Sequence, residues 1–122
     1  MDTIGKPDQP QHLSVGHRLV GAVRVVTLHG EIDHDTAAVL RGGLLPHDDH
    51  PGPLRIIADF SAVTFMDSSG INVLVDVHQR ATATRGWLRI AAAHGSILRT
   101  IELVGLDTLI PCHPTTAHAL SA

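Results

Sequence analysis

Two short runs hold the side chains best placed to do chemistry. The first is Met66-Asp67-Ser68-Ser69-Gly70, two hydroxyls beside a carboxylate. Ile71, Leu74, Val75 and His78 follow it at helical spacing, and Val73 and Val77 widen the apolar face. Asp and Ser ahead of such a pattern are helix N-cap residues, so Asp67-Ser68-Ser69 opens a predicted helix. A hydroxyl there lies where unpaired backbone N–H groups and the positive end of the helix dipole favour an anion. Phosphate on Ser68 would add a charge of about −1.5 to −2, which a helix start tolerates. The second run, Glu31-Ile32-Asp33-His34, puts two carboxylates and an imidazole in a predicted polar loop. Taken by themselves, Ser68 and Ser69 need be no more than caps.

Other chemistries fit less well. A hydrolase nucleophile elbow requires Gly-x-Ser-x-Gly, and neither serine is flanked that way. Ten histidines make a catalytic triad easy to assemble on paper and therefore weak as an argument. His47-Asp48-Asp49-His50 is the densest group of metal-ligating side chains, but its prolines mark a solvated surface loop. No Cys/His spacing of a structural zinc site occurs, so no metal and no cofactor is expected. The expectation is a binding protein, not an enzyme.

The elements that must position Ser68 are legible around it. Residues 1–10, with two prolines and no periodicity, read as a flexible tail, leaving 11–122 as one domain. His12–Val20 and Ala22–Leu28 read as strands joined by a hairpin at Gly21. The second is apolar on both faces and so belongs inside the sheet. After the polar loop 29–35, Asp35 or Thr36 caps a helix from Ala37 to about Leu45. Leu54–Phe60 is a buried strand, and Phe65-Met66 a further short apolar pair. The Ser68 helix runs to about Arg85, with Gly86 as its C-cap glycine. Trp87–Ala93 is another strand, Ser96 caps the next helix, and Gly105 ends it. Leu109-Ile110 reads as a last short strand and Thr116–Leu120 as a terminal helix. Strands alternating with helices define an α/β domain: a mixed, mostly parallel sheet with an N-terminal hairpin and packed helices. Both chemistry-bearing loops leave strands at their C-terminal ends, the edge where open α/β sheets meet ligands and partners.

Composition limits the function classes. One domain of 122 residues with 43% apolar side chains builds a single core, and with aromatics at 2% that core is aliphatic. The formal charge of −3 and nine scattered basic side chains offer no stripe for nucleic acid. A lone cysteine, Cys112, fits a reducing compartment, no signal peptide is evident, and no stretch reaches the roughly 18 apolar residues of a membrane span. A cytoplasmic protein without nucleic-acid or membrane contact is expected.

With the strand before it, Phe65-Met66-Asp67-Ser68-Ser69-Gly70 resembles the phosphorylation motif of the STAS-domain anti-sigma-factor antagonists. Gly30-Glu31-Ile32-Asp33-His34-Asp35-Thr36-Ala37 is similar to that family's Gly-Glu-Leu-Asp-x-x-Thr-Ala loop, at a similar distance upstream. Ile90-Ala91-Ala92-Ala93 and the run from Ile101 to Leu106 follow the same layout, so the likeness extends from about Leu13 to the end. The resemblance implies a STAS-like single domain whose Ser68 accepts phosphate from an anti-sigma factor with serine kinase activity. The unphosphorylated form would hold that kinase and free a sigma factor; the phosphorylated form would release it, and a serine phosphatase would reset the switch. It also implies that Asp33 lies near Ser68 and helps to position it. Asp67, Ser69, Gly70 and Asn72 would join it in the partner-binding surface, Gly70 by letting a partner's backbone approach. Where the family commonly has glycine this chain has Asn72, a departure that bears on which partner is accepted. The alternative within the same fold is a STAS scaffold or transport-associated module without sigma-factor regulation.

Overall fold

The computed structural model describes residues 12–46 and 51–122. The expected 1–10 tail and the His47–His50 group lie outside the described residues. Within them the order is β1 (Leu13–Val20), β2 (Val23–Ile32), α1 (Ala37–Leu44), β3 (Arg55–Met66), α2 (Ser68–Ala83), β4 (Trp87–Ala91), α3 (Gly95–Leu103), a 3-10 turn (Leu106–Thr108), β5 (Cys112–His113) and α4 (Thr116–Ser121). The five strands form one sheet in the order β1-β2-β3-β4-β5. β1 and β2 are an antiparallel hairpin, and the remaining pairs are parallel. Gly21 turns the hairpin at φ 61°, a conformation glycine adopts without steric cost.

Helices α1, α2 and α3 cover one face of the sheet. Leu40 and Leu44, then Val73, Leu74 and Val77, then Ile97 and Ile101 pack onto Val26, Leu28, Ile56, Phe60 and Ile90 in one aliphatic core. On the opposite face α4 covers a smaller cluster of Val25, Ile57, Ala91 and Ala119. β2 is therefore apolar on both faces because it is interior to the sheet and covered on both sides, as its sequence predicts. Across α1 and α2, the Asp76 carboxylate accepts from Arg80 Nε at 3.0 Å and from Arg41 Nη1. The Arg80 bond first, then Arg41, holds that carboxyl below the usual range.

Several boundaries differ from the sequence expectation. β2 does not end at Leu28 but runs on to Ile32, because two register shifts against β3 keep the ladder going through His29–Glu31. Gly30 makes one of them possible: at φ 122° it packs against the His12 carbonyl, where a side chain has no room. β3 is one 12-residue strand that absorbs Phe65-Met66. α2 ends with Arg85, not Gly86, in the left-handed conformation at φ 66°, while the Gly86 N–H reaches back to the Ala81 carbonyl at 2.9 Å. Gly86 serves a different need, since a Cβ there would strike the backbone of Leu54. His94, not Ser96, stands at the N-cap of α3, and the last strand is Cys112–His113 rather than Leu109-Ile110.

Candidate functional site: the paired strand ends at Asp33 and Ser68

The ends of β2 and β3 are locked side by side. Ile32 pairs with Met66, and the Asp67 N–H donates to the Ile32 carbonyl at 3.1 Å. Both Ile32 and Met66 point into the core, so the residues after them emerge together at the sheet's C-terminal edge.

At the end of β3, Asp67 is extended and acts as the N-cap: its Oδ1 accepts from the Ser69 N–H at 2.8 Å, and its carbonyl accepts from Gly70 N–H at 3.1 Å. The capping function that the cluster offered to three residues thus belongs to Asp67 alone. Ser68 becomes the first helical residue, exposed, and among the described residues its hydroxyl has no hydrogen-bond partner in the protein. Ser69 is half-buried and Asn72 exposed on the same first turns, while Ile71 packs against the core.

Gly70 is placed differently from the expectation. It is buried, and a Cβ on it would lie 2.6 Å from Ile32 Cγ2 and 2.7 Å from Met66 Cγ. The missing side chain lets α2 sit tightly on the strand ends. It does not open room for a partner's backbone, because the glycine faces inward.

At the end of β2, Asp33 makes a self-contained turn. Its Oδ1 accepts from the N–H groups of Asp35 at 2.9 Å and Thr36 at 3.0 Å. Thr36 is buried, and its hydroxyl accepts from Asp33 N–H and donates to the Glu31 carbonyl, both at 2.9 Å. Asp33 and Thr36 therefore tie each other's backbones, which explains the Asp-x-x-Thr spacing locally. No hydrogen bond joins Asp33 to Ser68 among the described residues; the pairing of Ile32 with Met66 brings the two loops to one sheet edge, and the Asp33 carboxylate is engaged in its own turn. Thr36, one of the two caps the sequence offers for α1, stands at the N-cap position but spends its hydroxyl on this turn; the three-residue offset from Asp33, visible in the sequence, allows both bonds at once.

Among the described residues one group of side chains could converge on a metal: His12, Glu31 and Asp33 offer ligand atoms within 4.8 Å of one another. His12 and Glu31 are exposed, and Asp33 Oδ1 already serves the turn. Away from this edge, a cavity of about 360 Å³ lies between α3 and β5, with Leu98, Glu102, Asp107 and Cys112 in its wall. Burial, then the charges of Asp107 and Glu102, push the Cys112 thiol up to about 11. It is protonated at neutral pH and a poor nucleophile there. No helix among the described residues is long and apolar enough to cross a membrane.

A mostly parallel sheet with an antiparallel first strand, helices on one face and two polar loops at its C-terminal edge is the frame into which known proteins can be fitted. The STAS domain family matches residues 17–119. The anti-sigma-B factor antagonist of Bacillus subtilis (strain 168) is 32% identical over 85 residues, covering 70% of this chain and 76% of that protein. The anti-sigma F factor antagonist of Paenibacillus polymyxa is 24% identical over 99 residues, 81% of this chain and 85% of that one. A crystal structure of an anti-sigma factor antagonist from Mycobacterium paratuberculosis superposes with a TM-score of 0.77 at 30% identity, covering 89% of this chain and 92% of that one. The chain belongs to the STAS domain family.

Proposed function

We propose that this protein is an anti-sigma-factor antagonist that works by partner switching. Unphosphorylated, it binds an anti-sigma factor with serine kinase activity and so frees a sigma factor. The kinase transfers the γ-phosphoryl group of ATP to Ser68 Oγ; the serine proton and ADP leave, and the phosphorylated form lets go. A serine phosphatase returns it to the binding form. The chain itself is a regulator and acceptor in the cytoplasm, not an enzyme. Two relatives named as antagonists of anti-sigma factors support this reading.

The observation that carries it is the division of labour at the start of α2. Asp67 supplies the cap bond, which leaves the Ser68 hydroxyl exposed and without a hydrogen-bond partner among the described residues. Phosphate there meets the favourable end of the helix dipole, so the fold tolerates it. In a contact that excludes water, the same dianion costs several kcal/mol unless matched by cations, and each 1.4 kcal/mol is about tenfold in affinity. Asp67, next in sequence, adds to the negative charge.

The test uses Ser68→Ala as bait against lysate of the source cells, then the captured kinase with ATP on the wild-type chain. One phosphate on Ser68, absent in Ser68→Ala, is expected. Phosphate on Ser69 instead would overturn the assignment.

A further inference from the structure

The chain has two Phe, one Trp and no Tyr, and the fold itself accounts for two of these rings. Phe60 is fully buried in the main core. Trp87 is half-buried, with the Arg89 guanidinium carbon 3.6 Å from its ring centroid. Phe65 has no such place: it is 48% exposed near the end of β3, on a strand position paired with Glu31. Helix α4 covers the second face of the sheet over Val25, Ile57 and Ala91, all earlier along their strands than Phe65 or placed on β4. An aromatic ring left half in water at a strand end loses hydrophobic stabilisation that a partner can restore.

Its location says which partner. Phe65 precedes Ser68 by three residues, and three residues span at most about 11 Å between Cα atoms. A standard protein contact buries about 800 Å² on each side, a patch roughly 30 Å across. Alternation along β3 turns the Phe65 ring to the face opposite Met66 and α2, close behind the edge from which Ser68 emerges. A protein that brings a phosphoryl donor to Ser68 Oγ therefore covers Phe65 by reaching round that edge. Resting on the reading of Ser68 as phosphoacceptor, we propose that Phe65 is the apolar anchor of the docking surface and fills an apolar socket on the serine-kinase anti-sigma factor. The ring supplies affinity, and Ser68, which carries little of it, supplies the switch. Hot spots cluster in well-packed, desolvated pockets near an interface's centre, and Phe is among the aromatic side chains enriched there.

The anchor is outside the reacting atoms, and that makes it separable from catalysis. The probe is the kinase captured by Ser68→Ala, purified. Its Kd for Ser68→Ala is compared with that for Ser68→Ala carrying Phe65→Ala, Phe65→Thr or Phe65→Tyr. The Ala and Thr variants are expected to bind about 10- to 100-fold more weakly, and Tyr close to the parent. Thr keeps strand propensity should Ala perturb the strand. With Ser68 intact, Phe65→Ala should raise KM for phosphorylation by a similar factor and leave kcat within about twofold, the mark of lost uniform binding. Equal Kd values for Ser68→Ala and Ser68→Ala/Phe65→Ala would overturn the anchor while leaving the phosphoacceptor reading intact. So would a loss of kcat at unchanged KM. A concentration-dependent dimer of the wild-type chain that Phe65→Ala dissolves would assign the ring to a second copy and overturn it too. If Ser68→Ala binds no kinase at all, the phosphoacceptor reading fails and the anchor fails with it.

Discussion

Replacing Gly70 by alanine separates a packing role from a docking role at the most sensitive point of the site. The new Cβ would stand 2.6 Å from Ile32 Cγ2, 2.7 Å from Met66 Cγ and 2.9 Å from Met66 Sδ. The methionine side chain is flexible and can swing aside. The Ile32 methyl is fixed to a β-branched carbon on a buried strand and cannot. Moving α2 outward to restore contact distance would loosen the seat of Val73, Leu74 and Val77. Overpacking of this kind costs about 1–3 kcal/mol, against at most about 1 kcal/mol gained from the better helix propensity of alanine. A net loss of about 1–2 kcal/mol follows, or a fall of roughly 3–8 °C in Tm for a domain of this size. Urea titration with an unchanged slope is the assay. In an Ile32→Leu background, where the methyl moves off the β-carbon, the penalty should shrink. A Gly70→Ala variant as stable as the wild type, yet unable to bind the kinase, would refute the reasoning and restore Gly70 to the partner surface.

Further outcomes are expected elsewhere. Ser68→Ala should keep binding the kinase and Ser68→Asp should bind it more weakly, about tenfold per 1.4 kcal/mol of repulsion and desolvation; equal titration curves would remove charge as the switch. Asp33→Ala should lower stability by about 1 kcal/mol through loss of the turn, while Asp33→Asn keeps the Oδ1 acceptor and the stability. If Asp33→Asn also keeps the phosphorylation rate, the carboxylate charge has no part in positioning Ser68. Thr36→Val should destabilise by about 1–3 kcal/mol by leaving the Asp33 N–H and Glu31 carbonyl without their buried partner, with Thr36→Ser restoring most of it in denaturant titration. Cys112 should alkylate slowly at pH 8. Because its thiol rises from 9.0 to about 11 on folding, its stabilising contribution is full below pH 9 and is lost as pH climbs toward 11. A free-thiol alkylation rate at pH 8 would contradict that burial.

What the sequence makes legible here is whatever depends on periodicity or on a strong local signal. The α2 pattern from Ile71 to Val77, the two-faced apolar character of β2 and the hairpin at Gly21 are of that kind, and each is found where it was expected. The misses share a cause: they depend on what a residue meets across space. His29–Glu31 look like a loop because their side chains are polar, yet the backbone continues the ladder by shifting register around Gly30. Gly86 resembles a helix-ending glycine, but the Leu54 backbone claims it and the left-handed position falls to Arg85. Gly70 follows the same logic, with Ile32 and Met66 arriving from strands that sequence spacing alone does not bring together. At the site, both loops and Asp67 are legible from capping chemistry. That Asp33 spends its carboxylate on Thr36 requires the turn itself to be visible.

The Asp67 cap has a consequence for the protein's lifetime. Had the Ser68 hydroxyl carried the cap bond, each phosphorylation would have removed about 1 kcal/mol from α2 and raised the unfolded fraction several-fold. With Asp67 holding that bond at 2.8 Å, the two forms should resist proteolysis alike. Under the proposed function, neither form is then culled by its own instability. Their ratio stays a record of kinase and phosphatase activity, undistorted by turnover.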